Sequence, residues 1–268
     1  MKISIILPSV FPDHLAKALD MIYATTQGVD YEVVVVSPFE VNKPKVRWVH
    51  EAEPRGTVPA HVTAYKHAVG EFVLGFSDDV ELLPDWAPRA LGNYERRAAG
   101  HKLFCLGLWA RNRIVSTVFG LYYANFPFVR RTMLDQIGGY FHDRYQAHFA
   151  DPDLSLRVWA GGGRCEFSEA PLMVAEPESG PLRDPGKTRR FISLDQDMAV
   201  FLSRWKEKFG AGWDTSHVHG FVLDINPAIQ LTVARDNTIC FNDPRFKELY
   251  DNYQVNIWQC RVAMTFPD

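Results

Sequence analysis

The sequence predicts an α/β fold: a mostly parallel central sheet flanked by helices, followed by a C-terminal extension. Short, continuous apolar runs recur at residues 3–7, 31–36 and 72–76, the pattern of strands buried on both faces. Segments of helical period separate them. The resulting alternation is that of βαβ units, whose crossovers place helices over a parallel sheet.

The elements follow in order. Residues 12–27 are predicted helical, with Leu15, Leu19 and Ile22 on one face and Gly28 at the stop. Residues 46–49 add a shorter strand. Over 57–69, Val58, Val62, Tyr65 and Val69 fall at helical steps, and Gly70 ends the segment. A helix is expected over 84–98, with Pro84 near its first turn. In the second half, 103–109 reads as a strand, 111–117 as a loop and 119–129 as aromatic-rich extended chain. Residues 130–137 form a short helix stopped by Gly138 and Gly139. Another helix begins at Pro152 and ends at the glycine run 161–163. Residues 176–190 combine prolines and glycines with four basic side chains, the composition of a mobile loop. Residues 193–209 are amphipathic, with Leu194, Met198, Phe201, Trp205 and Phe209 on one stripe. Beyond 210 the pattern is mixed and no repeat is visible.

Composition narrows the function classes. At 268 residues the chain can bury one large domain or a domain with an appendage. Hydrophobic content of 47% and charged content of 23% are those of a globular protein. A net charge of −3 supplies no basic field, so no nucleic-acid partner is expected. No apolar run reaches transmembrane length, and the N-terminal run is broken by Pro8 before it could serve as a secretory signal. Cys105, Cys165, Cys240 and Cys260 form no C-x-x-C pair, which disfavours a zinc site and a disulfide framework and fits a reducing cytoplasm. Composition sets no oligomeric state.

The chemistry concentrates at the end of the 72–76 run, where Ser77 is followed by Asp78 and Asp79. In open α/β sheets, ligands sit beyond the carboxyl ends of the strands. Two carboxylates there suit a hard cation, and such a cation commonly holds phosphate. The plainer alternative is a solvated turn or a helix cap.

The order of motifs resembles the family 2 glycosyltransferases of GT-A fold. The opening strand through Pro8 and Ser9 is similar to theirs, as is Arg55-Gly56 followed by Ala60, Ala64 and Ala68-Val-Gly-Glu71. Ser77-Asp-Asp-Val-Glu-Leu-Leu-Pro-Asp-Trp86 resembles the acidic metal motif. Ile137-Gly-Gly-Tyr-Phe141 and Asp151-Pro-Asp-Leu-Ser-Leu-Arg157 resemble a later pair of motifs, and Asp197 to Trp205 a late helix. The similarity spans about residues 2–209. It implies inverting transfer of a sugar from a nucleotide-sugar donor to the hydroxyl of a saccharide or glycoconjugate acceptor, with Mn²⁺ or Mg²⁺ at the leaving diphosphate. It implies a nucleotide-sugar-binding half at 1–100, an acceptor-binding half at 101–209 and an extension at 210–268 of unassigned role. Residue by residue, it gives Asp79 as metal ligand, Asp78 on the ribose or the metal's water, Pro8, Ser9, Arg55 and Gly56 at the nucleotide, and Asp151 as general base. Asp151 has a plainer reading as the cap of the helix that Pro152 opens, and Asp153 as a first-turn charge facing the helix dipole.

The chain departs from the family pattern in four places. Val36-Ser37-Pro38 stands where a base-reading acid is usual, Ser77 replaces a first acid, and Ala150 precedes Asp151. Glu176 occupies the place of a metal-binding His and could ligate the same ion. Lys187 and Arg190, with Arg189, could close over the diphosphate. Pro185-Gly-Lys-Thr188 superficially suggests a phosphate loop. Its spacing from Gly180 is one residue too long, and Pro181 and Pro185 remove N–H donors. A P-loop-type hydrolase built on Lys187 and a nucleotide-sugar-binding protein without turnover are the competing readings. His217 and His219 share a strand face without a third ligand, and the aromatics Tyr122, Tyr123, Phe126 and Phe128 read as core or as acceptor-stacking rings.

Overall fold

The run Tyr-Glu-Val-Val-Val-Val-Ser forms a strand in which all seven residues are buried, as only a central strand covered on both sides can be. The computed structural model describes residues 1–110, 114–118, 121–175 and 194–209, together with the strands Phe221–Asn226, Ile229–Val233, Ile239–Phe241 and Arg261–Ala263. The strands preceding these four are β1 (Ile3–Pro8), β2 (Tyr31–Ser37), β3 (Val46–His50), β4 (Phe72–Gly75), β5 (Val80–Leu82), β6 (Phe104–Gly107), β7 (Ile114–Val118), β8 (Leu121–Tyr123), β9 (Pro127–Arg130), β10 (Arg164–Phe167) and β11 (Met173–Ala175). The helices are α1 (Pro12–Thr25), α2 (Thr57–His67), α3 (Trp86–Arg97), α4 (Arg131–Gln136), α5 (Ala150–Ala160) and α6 (Leu194–Phe209).

Seven strands make one sheet in the order β10-β6-β9-β4-β1-β2-β3. All its pairings are parallel except those of β9, which runs against both β4 and β6. Alternate side chains of β2 feed two cores. Val33 and Val35 pack with Leu15, Leu19 and Ile22 of α1 and Trp86 and Ala90 of α3. Val34 and Val36 pack with Ala60 and Ala64 of α2, Leu134 of α4 and Leu154 of α5. Full burial of one such aliphatic side chain contributes about 1.5–3 kcal/mol, so the strand is fixed in register from both faces. At the amino end of the sheet the buried Glu32 carboxylate accepts from Ser4 Oγ (2.6 Å) and Val69 N (2.8 Å).

Several expectations change. Residues 114–117 of the expected loop are strand instead: Ile114–Val118, rich in β-branched side chains, pairs with Leu121–Tyr123 and with Arg261–Ala263. The buried face of α2 is Val58, Ala60, His61 and Ala64; Val69 lies beyond the helix and is 46% exposed. Small residues face the sheet there because they let the helix approach closely. The helix expected from Pro84 begins at Trp86, after Asp85 in a left-handed conformation (φ 58°). The short strand β5, immediately after the acidic pair, was not legible. It pairs antiparallel with β11, Val80 opposite Ala175. The predicted loop 176–190, with Glu176, Lys187 and Arg190, lies outside the described residues, as do His217 and His219.

Candidate active site

The carboxyl ends of β1, β2, β3 and β4 open into a cavity of about 350 Å³. It is lined by Pro8, Ser9, Ser37, Gly56, Asp78 and Asp79, among others. Parallel pairing is what brings these positions to one edge. Ser9 N donates to Val36 O and Phe76 N to Ile6 O, each 3.0 Å, extending the ladder to the rim. Ser9 Oγ then donates to Asp78 Oδ2 at 2.5 Å, and Ser77 Oγ donates to Asp79 Oδ1. Burial pushes the Asp78 carboxyl above its ordinary value; the Ser9 hydrogen bond opposes this and the neighbouring Asp79 charge adds to it. A hydroxyl thus stands where a third acid is usual, and it orients Asp79 instead of adding repulsion.

Gly56 lines the same cavity with φ 126°, and a Cβ there would meet Gln146 O at 2.6 Å. Only glycine lets the start of α2 approach the 146–148 loop so closely. Arg55 does not line the cavity. Its guanidinium turns to Glu51 (3.1 Å) and Thr63 (3.4 Å).

Asp151 lines a second, smaller cavity of about 160 Å³ with Asn125, Phe126, His61 and Phe141. The two cavities share Thr57, Phe76, Ser77 and Ala147 as walls. Asn125 Nδ2 donates to Asp151 Oδ2 at 3.3 Å. The cap reading of Asp151 does not survive: α5 starts at Ala150, its N-cap is Phe149, and no side chain caps it. Phe149 adopts a left-handed conformation (φ 62°), local strain that costs on the order of 1–3 kcal/mol and clusters at functional sites. Asp153 is not a solvated dipole partner either. It is fully buried and accepts from Tyr145 Oη (3.0 Å), Trp205 Nε1 (2.8 Å) and Arg157 Nε (3.0 Å), with Arg204 ion-paired at 2.9 Å. Arg157 also donates to the carbonyls of Ile137, Gly139 and Tyr140, locking the glycine turn after α4.

Two further residues take roles that the sequence reading did not assign. Asp197, on α6, is buried and accepts from the backbone N–H groups of Gln146, Ala147 and His148 at 2.8–2.9 Å. It therefore holds the loop that walls both cavities. His61 reaches from α2 to Phe76 O (3.2 Å) and Thr57 O (2.8 Å), and burial lowers its pKa. The partners of Asp197 and the Phe76 partner of His61 come from other elements, so no local pattern assigns these roles.

Among the described residues no group of three or more His, Cys, Asp or Glu could hold a metal ion. Two carboxylates facing a cavity nonetheless fit Mg²⁺ or Mn²⁺, which are commonly bound through one or two carboxylates with substrate phosphates completing the shell. Burial chiefly raises the Asp78 pKa and the Asp79 charge adds to it; a cation there would offset both effects.

No protein-family profile and no curated protein matches the chain. Solved structures do. A mannosyltransferase from Pyrobaculum calidifontis, in complex with GDP-Man and Mn²⁺, is 22% identical with a TM-score of 0.53, over 67% of this chain and 58% of that one. TarS 1–349 from S. aureus, in complex with UDP-GlcNAc, is 15% identical with a TM-score of 0.51, over 80% and 75%. The catalytic domain of Drosophila β1,4-galactosyltransferase 7, in complex with xylobiose, is 13% identical with a TM-score of 0.50, over 90% and 92%. The chain thus spans little more than half the length of the mannosyltransferase. With the parallel sheet, its one reversed strand and the acidic pair at its edge, these likenesses give the fold: the chain has the GT-A fold of nucleotide-diphospho-sugar glycosyltransferases.

Proposed function

We propose that this chain is a metal-dependent, inverting glycosyltransferase that moves a sugar from a nucleoside-diphosphate donor to an acceptor hydroxyl of a glycan or glycoconjugate. The observation that carries the reading is the pair of adjoining cavities, one bearing Asp78 and Asp79 and the other Asp151, separated by Phe76 and Ser77. Donor complexes of two of the similar structures, one of them with Mn²⁺, support it.

The residues divide the work as follows. Asp79 would hold Mn²⁺ or Mg²⁺ near the diphosphate, with Asp78 on the ribose or on the metal's water; the ion would offset the charge that builds on the leaving group. Pro8, Ser9 and Gly56 shape the nucleotide cavity. Asp151 takes the proton of the attacking acceptor hydroxyl onto a carboxylate oxygen, and Asn125 orients that carboxylate. Inversion needs the base and the leaving group on opposite sides of the reacting carbon, and two cavities meeting at a thin wall suit that arrangement. Glu176 follows Ala175, whose partner Val80 follows Asp79, which motivates it as a further metal ligand. Lys187 and Arg190 are proposed to add positive charge at the diphosphate, and residues 101–209 to form the acceptor side.

Thermal-shift titration with nucleoside diphosphates, with and without Mn²⁺, tests the first half. Ligands of the folded state raise its melting temperature, and the rise should require the metal and vanish in Asp79→Ala. Retention of metal-dependent binding in that variant, with loss in Lys187→Ala, would instead favour a phosphate-loop hydrolase. Donor binding without transfer to any of a broad acceptor panel would favour a non-catalytic binding protein.

A further inference from the structure

The smaller cavity begins where two strands of the central sheet part. β4 and β9 pair from Phe72 opposite Arg130 to Leu74 opposite Phe128, where their pairing stops. Each strand keeps its other neighbour at that level: Gly75 still faces Ile6 of β1, and Pro127 still faces Gly107 of β6. The gap therefore opens inside the sheet and not at its edge. Gly75, Phe76 and Ser77 on one strand, and Asn125, Phe126 and Pro127 on the other, wall the cavity that holds Asp151.

The phase of the ladder shows which bond has been replaced. Arg131 N donates to Glu71 O at 2.8 Å. Antiparallel pairs alternate between those that exchange hydrogen bonds and those that do not. The exchanging pairs are thus Glu71 with Arg131, Val73 with Val129 and, next in line, Gly75 with Pro127. Pro127 has no N–H, so one of that pair's two bonds cannot form. A side chain takes the place of the other. Gly75 N donates to Tyr140 Oη at 2.7 Å, and Tyr140 Oη donates to Pro127 O at 2.8 Å. Two hydrogen bonds end to end hold the strands farther apart than a direct N–H···O bond of about 2.9 Å would. The tyrosine is fully buried, and burial keeps its hydroxyl in the protonated, donating form. Arg157 donates to the carbonyls of Gly139 and Tyr140 and so fixes the turn that delivers the ring. A Cβ on Gly75 would run into the hydroxyl.

We propose that Tyr140 is a positioning residue for sugar transfer: its hydroxyl props β4 and β9 apart and holds the acceptor cavity open. This rests on the glycosyltransferase reading above and adds to it a residue remote from the metal and the base. β4 runs on through Phe76 and Ser77 into the acidic pair, and the His61 ring meets Phe76 O at 3.2 Å to hold that freed end. Asn125, just before β9, carries Asp151 by its amide. Closing the gap would move Asn125 and its carboxylate toward Ser77 and exclude the acceptor. Gly75, Pro127 and Tyr140 do not line the nucleotide cavity, so the prop acts on transfer and not on donor binding.

Tyr140→Phe removes the hydroxyl and keeps the ring. Its crystal structure should show Gly75 N donating directly to Pro127 O and a narrower acceptor cavity. Isothermal titration with GDP and UDP in the presence of Mn²⁺ should give wild-type affinities, while kcat/KM for transfer to a panel of saccharide acceptors falls about tenfold to a hundredfold. Pro127→Ala in the same background supplies the missing N–H, and it should transfer sugar still more slowly with the fold intact by circular dichroism. A gap of unchanged width in Tyr140→Phe, a closed gap with wild-type transfer, or equal losses of nucleotide binding and transfer would each overturn the inference while leaving the glycosyltransferase reading in place. Absence of nucleotide binding and of transfer in the wild-type chain would overturn both.

Discussion

The motif resemblance points to Asp151 as a base, whereas its local sequence context by itself favoured a helix cap. The structure removes the cap and leaves the carboxylate on a cavity wall. Asp151→Asn should therefore bind the donor with unchanged affinity while transfer falls about 10²–10⁴-fold, the range for loss of a general base; initial-rate and titration measurements on one preparation would check both. Asp78 carries a pH-dependent prediction. Its carboxyl is raised above the ordinary value, chiefly by burial. A raised folded-state value means its favourable contribution is fully present below the unfolded-state pKa and is lost as pH rises through the folded one. Without metal, Asp78→Asn should therefore unfold at a higher temperature than wild type at neutral pH. The gap should close as pH falls into the acid range, and added Mn²⁺ should stabilise wild type more than the variant. Equal melting curves across pH would refute the assignment. Asp153 shows the limit of reading single residues: in sequence it is an ordinary first-turn acid, and only its partners distinguish it.

At the scale of elements, a side chain on α6 fixes a loop that α6 does not otherwise resemble in chemistry. Asp197 lies 49–51 positions from its three N–H partners, so the late-helix motif names the residue but no local pattern could reveal what it holds. Asp197→Ala leaves three backbone donors without their carboxylate and should cost about 3 kcal/mol. Because the freed loop walls both cavities, kcat/KM should fall tenfold or more even at temperatures where circular dichroism shows the fold intact. Full activity in that state would mean the loop's position is immaterial. The strands β1, β2 and β4 were legible because an apolar run buried on both faces carries its own signature. β5 and β7 were not: β5 has three residues and a remote partner in β11, and β7, which pairs with β8 nearby and with the remote strand Arg261–Ala263, lacks the apolar run of a strand buried on both faces.

Across the whole molecule, Asp153 joins α5, α6 and the turn before Tyr145 in one buried network of two arginines, a tyrosine and a tryptophan. Removing a charge from such a network strands the opposite charges in low dielectric, which costs about 3–5 kcal/mol. Asp153→Ala should therefore lower the denaturation midpoint sharply in chemical unfolding, far more than Asp151→Asn, although the two residues are neighbours on one helix. Similar losses for both would show that the network does not hold the fold together.

The sequence by itself determined the central strands, their alternation with helices and the acidic pair at the end of β4, because burial on two faces and strand termination are written in consecutive residues. Only the tertiary structure decided the reversed direction of β9, the burial of Asp153, the loop held by Asp197 and the meeting of the Asp78–Asp79 and Asp151 cavities. Each of these depends on groups brought together from distant segments, and the force that selects them is the cost of leaving a buried charge or backbone donor without a partner.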